Sequence, residues 1–166
     1  MFVRRRADKV ERSTMSEQQA DVLVVEDDPN DLELTLRALK RHRLANEVRV
    51  ARDGAEAVRF IFGEDENTPI TPAPKVILLD LKLPRLSGLD VLRRVKSDPR
   101  TRRIPVVMLT SSQEDRDIAE CYEAGANSYI VKPVEFERFV EAMRVVGLFW
   151  MVVASTPDPT SAAAHP

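Results

Sequence analysis

Two apolar runs in this chain end in carboxylates. Val22-Leu23-Val24-Val25 is followed by Glu26-Asp27-Asp28, and Val76-Ile77-Leu78-Leu79 is followed by Asp80. If both runs are strands of one parallel sheet, their carboxyl ends open on the same crevice, where open α/β sheets hold their ligands. Acids gathered there repel one another and call for a hard cation. Mg²⁺ suits such a set, because it takes one or two carboxylates, keeps several waters and leaves positions for a phosphate. Asp80 could then attack a phosphoryl group and become an aspartyl phosphate, a role carboxylates fill once the surrounding charge is neutralised.

Each of these residues also has a plainer role. Asp28 stands before Pro29, a cap residue followed by a first-turn proline, so it reads as a helix start rather than a ligand. Asp80 alone could be a turn residue. Thr110 could satisfy backbone groups, Lys132 could be an exposed lysine before a turn, Tyr129 a half-buried strand aromatic, and Cys121 a core-facing helix residue. What lifts Asp80 above its plain role is the shared placement of both acidic sets at strand ends.

The elements needed to hold these residues alternate along the chain. Residues 21–26 read as a strand, and Leu32, Leu36 and Leu39 follow at helical spacing. Residues 47–51 form a short strand, Asp53-Gly54 a turn, and residues 55–62 a helix with Val58, Ile61 and Phe62 on its apolar side. An acidic, proline-rich loop, GEDENTPITPAP, fills 63–74. Residues 75–80 are apolar without alternation, as a strand covered on both faces should be. A helix follows Gly88 and ends near Ser97. Residues 104–110 form a fourth strand, 112–124 a helix closed by Gly125, 127–131 a fifth strand, and a last helix runs on from Glu135. Five strand–helix units imply an α/β, doubly wound five-stranded parallel sheet in the order 2-1-3-4-5.

Composition narrows the class. The chain has 166 residues, 43% hydrophobic and 31% charged, enough for one globular domain but not two. We expect a disordered arm over 1–19, the domain over 20–148, and an extended last helix with a tail over 149–166. The net charge of −2 leaves no footprint for direct nucleic-acid binding, and Arg4-Arg5-Arg6 is too short to supply one. A single cysteine suits a reducing compartment. No signal-peptide core follows the basic start, and the apolar stretch 145–154 is too short to span a bilayer, so a cytoplasmic protein without membrane association is expected.

In order and at the right strand ends, VVEDD, LLDLKLPRLSGLD, VVMLTSS and YIVKP resemble the landmarks of response-regulator receiver domains, over residues 20–148. The resemblance implies that Asp80 is the phospho-acceptor and that a sensor histidine kinase is the donor. It implies that Asp27 and Asp80 ligate Mg²⁺ directly, Glu26 acts largely through water, and Lys82 lends its backbone carbonyl. Lys132 would bring a point charge and Thr110 a hydroxyl to the phosphoryl oxygens. Thr110 and Tyr129 would form a switch, and Lys132-Pro133 a cis peptide. Glu26 stands where many receivers carry aspartate. Lys82 and Ser112 flank the site at positions that influence how readily water attacks the acyl phosphate, so changing Lys82 should alter dephosphorylation more than Mg²⁺ binding.

Residues 136–166 leave no room for an output domain, so a stand-alone regulator is expected, signalling through the face of the fourth helix, fifth strand and fifth helix. Its long loop at 63–74 and its GLFW segment resemble the regulators paired with phytochrome-type histidine kinases. Apolar residues continue on all sides through Phe149 and Trp150 and imply a homodimer. Two other classes compete. An Mg²⁺-dependent phosphohydrolase also uses a strand-end aspartate, but places a second acid two residues later, where Lys82 stands. A nucleotide or flavin binder would need a glycine-rich loop, and the five glycines form neither GxGxxG nor a P-loop. A receiver fold acting as a phosphorylation-independent adaptor is the third possibility.

Overall fold

The computed structural model describes residues 22–41, 45, 47–63, 73–132 and 137. The arm, most of the acidic loop, Pro133, the expected last helix apart from Glu137, and Phe149 and Trp150 lie outside the described residues.

Among the described residues nine elements alternate: β1 (Val22–Val25), α1 (Pro29–Arg41), β2 (Val48–Ala51), α2 (Gly54–Phe62), β3 (Val76–Leu79), α3 (Gly88–Ser97), β4 (Val106–Thr110), α4 (Asp115–Glu123) and β5 (Ser128–Val131). All strands are parallel, in the order β2-β1-β3-β4-β5. The expected α/β sheet and its strand order are therefore present.

The apolar runs of β1, β3 and β4 are continuous because both faces are covered. Residues of one parity, Leu23, Val25, Ile77, Leu79, Val106 and Met108, pack with Ala57 and Ile61 of α2, Val91, Leu92 and Val95 of α3 and Cys121 of α4. Residues of the other parity, Val22, Val24, Val76, Leu78, Val107 and Leu109, pack with Leu32, Ala38 and Leu39 of α1. Alternation along a strand thus sorts one apolar run into two cores.

Helix starts are specified locally. Asp28 Oδ1 accepts the amides of Asn30 at 2.8 Å and Asp31 at 3.0 Å, which makes Asp28 the cap of α1. Asp53 Oδ1 accepts the Glu56 amide at 2.8 Å, and Ser87 Oγ the Asp90 amide at 3.2 Å. The helix expected over 112–124 begins later, at Asp115. The Ser112 amide bonds Thr110 Oγ1 at 3.2 Å and its hydroxyl bonds Asp117, so the side chain holds 112–114 out of the helix.

Two glycines let helix starts press against the loop after β3. A Cβ on Gly88 would stand 1.9 Å from the Asp80 carbonyl oxygen, and one on Gly54 would stand 2.0 Å from that of Leu86. The Gly88 amide donates to Leu81 O at 2.9 Å and closes the loop. Arg85 in that loop adopts φ 67, the left-handed region uncommon for a side-chain-bearing residue, and its guanidinium lies 3.4 Å from Asp53.

Candidate functional site

Strand order reverses between β1 and β3, and that is where a doubly wound sheet opens a crevice. Val25 is in register with Leu79, so Glu26 and Asp80, each one residue further, emerge side by side. Two bonds carry the ladder past the strand ends: Asp80 N to Val25 O and Glu26 N to Ala51 O, both 3.0 Å. One carboxylate oxygen from each of Glu26, Asp27 and Asp80 lies within 4.8 Å of the others. This is an all-oxygen, anionic donor set, which fits a hard divalent cation such as Mg²⁺.

Glu26 is 3% exposed and Asp80 8%, whereas Asp27 faces solvent. Lys132, directly after β5, reaches across the sheet into this group. Its Nζ donates to Glu26 Oε2, to Asp31 Oδ2 at 2.8 Å and to Asp80 Oδ2 at 3.2 Å. The other oxygens are also engaged. Asp80 Oδ1 accepts the Lys82 amide at 3.2 Å, and Glu26 Oε1 accepts the Asp28 amide at 3.1 Å.

The electrostatics follow from this sharing. The Glu26 carboxyl is raised to about 7: burial drives the rise, the Lys132 ammonium opposes it, and the Asp80 charge adds to it. One ammonium divided among several acids cannot fully offset the loss of water around a buried carboxylate. Burial likewise works against the charged form of Lys132, but its bonds to Asp31 and Glu26 and the Asp80 charge outweigh that and hold it above the ordinary lysine value. The crevice therefore carries excess negative charge around one fixed cation, a setting suited to a metal ion and then to a phosphoryl group.

Thr110 and Tyr129 belong to a second group, joined through buried Ser112. The Ser112 amide donates to Thr110 Oγ1 at 3.2 Å, Tyr129 Oη donates to Ser112 O at 3.0 Å, and Ser112 Oγ donates to Asp117 of α4. Thr110 ends β4 and is 0% exposed, while Tyr129 is half-buried on β5, its phenol raised chiefly by burial. Ser112 thus links the Thr110 hydroxyl to both α4 and Tyr129.

The structure brings Glu26, Asp27, Asp80 and Lys132 together and ties Lys82 to Asp80 through its backbone amide. Pro133 of the expected cis peptide, and Phe149 and Trp150 of the expected dimer contact, lie outside the described residues. Sequence reasoning missed Asp31 and Asp117. Asp31 had a signal: with Asp28 as cap it occupies the first turn of α1, whose side chains lean back toward the helix start and so over the crevice.

A sequence model described as the response regulator receiver domain matches residues 22–144. Response regulator Rcp1 of Synechocystis sp. is 36% identical over 138 residues, covering 82% of this chain and 92% of Rcp1. The Mn²⁺-bound form of Rcp1 superposes with a TM-score of 0.71 at 35% identity, covering 82% and 98% of the two chains. The phosphorylated cyanobacterial phytochrome response regulator RcpA is 35% identical, with a TM-score of 0.75 and coverage of 85% and 100%. The bacteriophytochrome response regulator RtBRR is 52% identical, with a TM-score of 0.66 and coverage of 86% of each chain.

Proposed function

The chain belongs to the response-regulator receiver family, and from that premise we propose that Asp80 accepts a phosphoryl group from a sensor histidine kinase of the phytochrome type. The observation that carries this reading is the convergence of Glu26, Asp27 and Asp80 with the Lys132 ammonium at the β1/β3 crevice. A kinase of the phytochrome type is supported by likeness to RcpA and RtBRR.

In the proposed reaction an Asp80 carboxylate oxygen attacks the phosphorus of a phosphohistidine. The new O–P bond forms as the N–P bond breaks, and its electron pair returns to the imidazole nitrogen, which takes a proton. The residues that would hold Mg²⁺ are Asp27 and Asp80, Glu26 largely through water, and the Lys82 carbonyl; when bound, the ion supplies counter-charge and a template for the phosphoryl oxygens. Lys132 would donate to one phosphoryl oxygen and Thr110 to another, which is the charge stabilisation such a transfer needs. When the Thr110 hydroxyl turns to the phosphoryl it gives up the Ser112 amide. Tyr129 and α4, both bonded to Ser112, then repack, and the face of α4, β5 and the following helix changes.

The apolar run from Val145 through Phe149 and Trp150 to Val153 supports a homodimer as the form that presents this face. Sedimentation equilibrium at micromolar concentration checks it, and a monomer there removes the dimer from the proposal. The acceptor itself is tested by intact mass after incubation with Mg²⁺ and acetyl phosphate. A labile phosphate adduct is expected on the wild type and absent from Asp80→Asn. An adduct on both proteins, or on neither, would refute the assignment.

A further inference from the structure

Lys132 has three acceptors, and they are unequal. Glu26 and Asp80 belong to the group that can hold a metal, whereas Asp31 stands outside it, on α1. The ammonium lies 2.8 Å from Asp31 Oδ2 but 3.2 Å from Asp80 Oδ2, closer to the outlying acid than to the acceptor. Asp31 is set firmly for this contact. Its amide donates to Asp28 Oδ1 at 3.0 Å, and its carbonyl accepts Thr35 Oγ1 at 2.9 Å.

We infer that Asp31 is a latch, a positioning residue that holds the Lys132 ammonium partly away from Asp80 in the resting protein, so that an arriving phosphoryl group must win Lys132 from it. The inference rests on the reading of Asp80 as acceptor. Burial decides which contact yields. The Glu26 side chain is 4% exposed and would be left without water if the ammonium departed, whereas that of Asp31 is 37% exposed and is rehydrated as the ammonium leaves. Charge decides the direction, because a phosphoryl group on Asp80 offers several strong acceptor oxygens where the bare carboxylate offers one contact. Asp31 therefore tunes how tightly the site holds a phosphoryl group without touching that group.

The test is calorimetric titration of the full chain, first with Mg²⁺ alone and then with beryllium fluoride at saturating Mg²⁺, where beryllofluoride on Asp80 stands in for the phosphoryl. Asp31→Asn keeps the side-chain shape and removes the charge. It is expected to bind beryllofluoride about two- to fivefold more tightly, the span of a half-exposed ion pair, while Mg²⁺ alone binds no more tightly than to the wild type. A residue with a merely structural role would weaken both. Asp28→Asn removes an equal charge from the same helix start, keeps the cap and takes no hydrogen bond from Lys132, on which Asp28 acts only through space, so its gain in beryllofluoride binding is expected to be smaller than that of Asp31→Asn. Unchanged or weaker binding by Asp31→Asn overturns the latch, as does an equal gain from Asp28→Asn. A wild type that binds no beryllofluoride overturns the acceptor reading and the latch together.

Discussion

Gly88→Ala should damage the crevice from the far side of the acceptor loop. A Cβ at this position would stand 1.9 Å from the Asp80 carbonyl oxygen, 2.8 Å from its carbonyl carbon and 2.9 Å from Leu81 Cα, all backbone atoms that cannot rotate aside. Relief to 3.0 Å requires helix start and loop to part by roughly 1.1 Å. That shift strains or breaks the Gly88 N to Leu81 O bond and carries Asp80 away from Glu26 and Lys132. Overpacking of this kind costs about 1–3 kcal/mol and a lost buried hydrogen bond about 1 more, so urea denaturation in metal-free buffer should show a loss of about 2–4 kcal/mol. A displacement near 1 Å is also enough to reduce reactivity about a hundredfold, to be read from the rate of acetyl phosphate labelling. Gly125→Ala is the control. It has φ +98 and its nearest neighbour is the Lys96 side chain at 3.1 Å, so it should lose about 1–2 kcal/mol and label normally. If Gly88→Ala were as stable as the wild type and bound Mg²⁺ equally well, the close approach would not be what holds Asp80 in place.

Lys132→Met removes the ammonium that Glu26, Asp31 and Asp80 share, which should cost about 3 kcal/mol in metal-free buffer and tighten Mg²⁺ binding, so that Mg²⁺ restores most of the loss; denaturation with and without the ion checks this. Unchanged Mg²⁺ affinity would count against a shared-cation site. The Cys121 thiol, 0% exposed on α4, is raised by burial from 9.0 to about 11. A raised folded-state value means that its contribution to stability is complete below pH 9 and is lost as pH climbs toward 11, a slope that Cys121→Ala should lack in denaturation series; iodoacetamide at pH 8 should leave the native thiol unmodified. Lys96 Nζ donates to Ile104 O at 2.7 Å, Asn127 Oδ1 at 2.9 Å and Arg102 O at 3.2 Å, so Lys96→Met should destabilise by about 1–3 kcal/mol, seen as a lower urea midpoint, yet leave phosphate labelling intact because these bonds lie away from the Asp80 crevice.

Much of this architecture was legible in the order of residues. Unbroken apolar runs such as Val76–Leu79 announce buried parallel strands, because both faces of such a strand are covered. Asp28-Pro29 marks a helix start because a cap oxygen and a proline without an amide suit the first turn. Acids directly after two such strands become neighbours once the sheet is parallel, so Glu26, Asp27 and Asp80 could be assembled from sequence alone. The late start of α4 was not legible, since it depends on Ser112 choosing Thr110 and Asp117 as partners over a helical turn.

What the sequence determined by itself was periodicity, caps and strand-end chemistry, all of which act over a few residues and need no knowledge of distant neighbours. Tertiary structure alone decided who shares Lys132. Its partners lie 52, 101 and 106 residues away, and the 2.8 Å contact with Asp31 exists only because α1 and the end of β5 meet over one crevice. It also decided why position 88 is glycine. A missing Cβ is silent in sequence until another backbone comes within 1.9 Å of the place it would occupy.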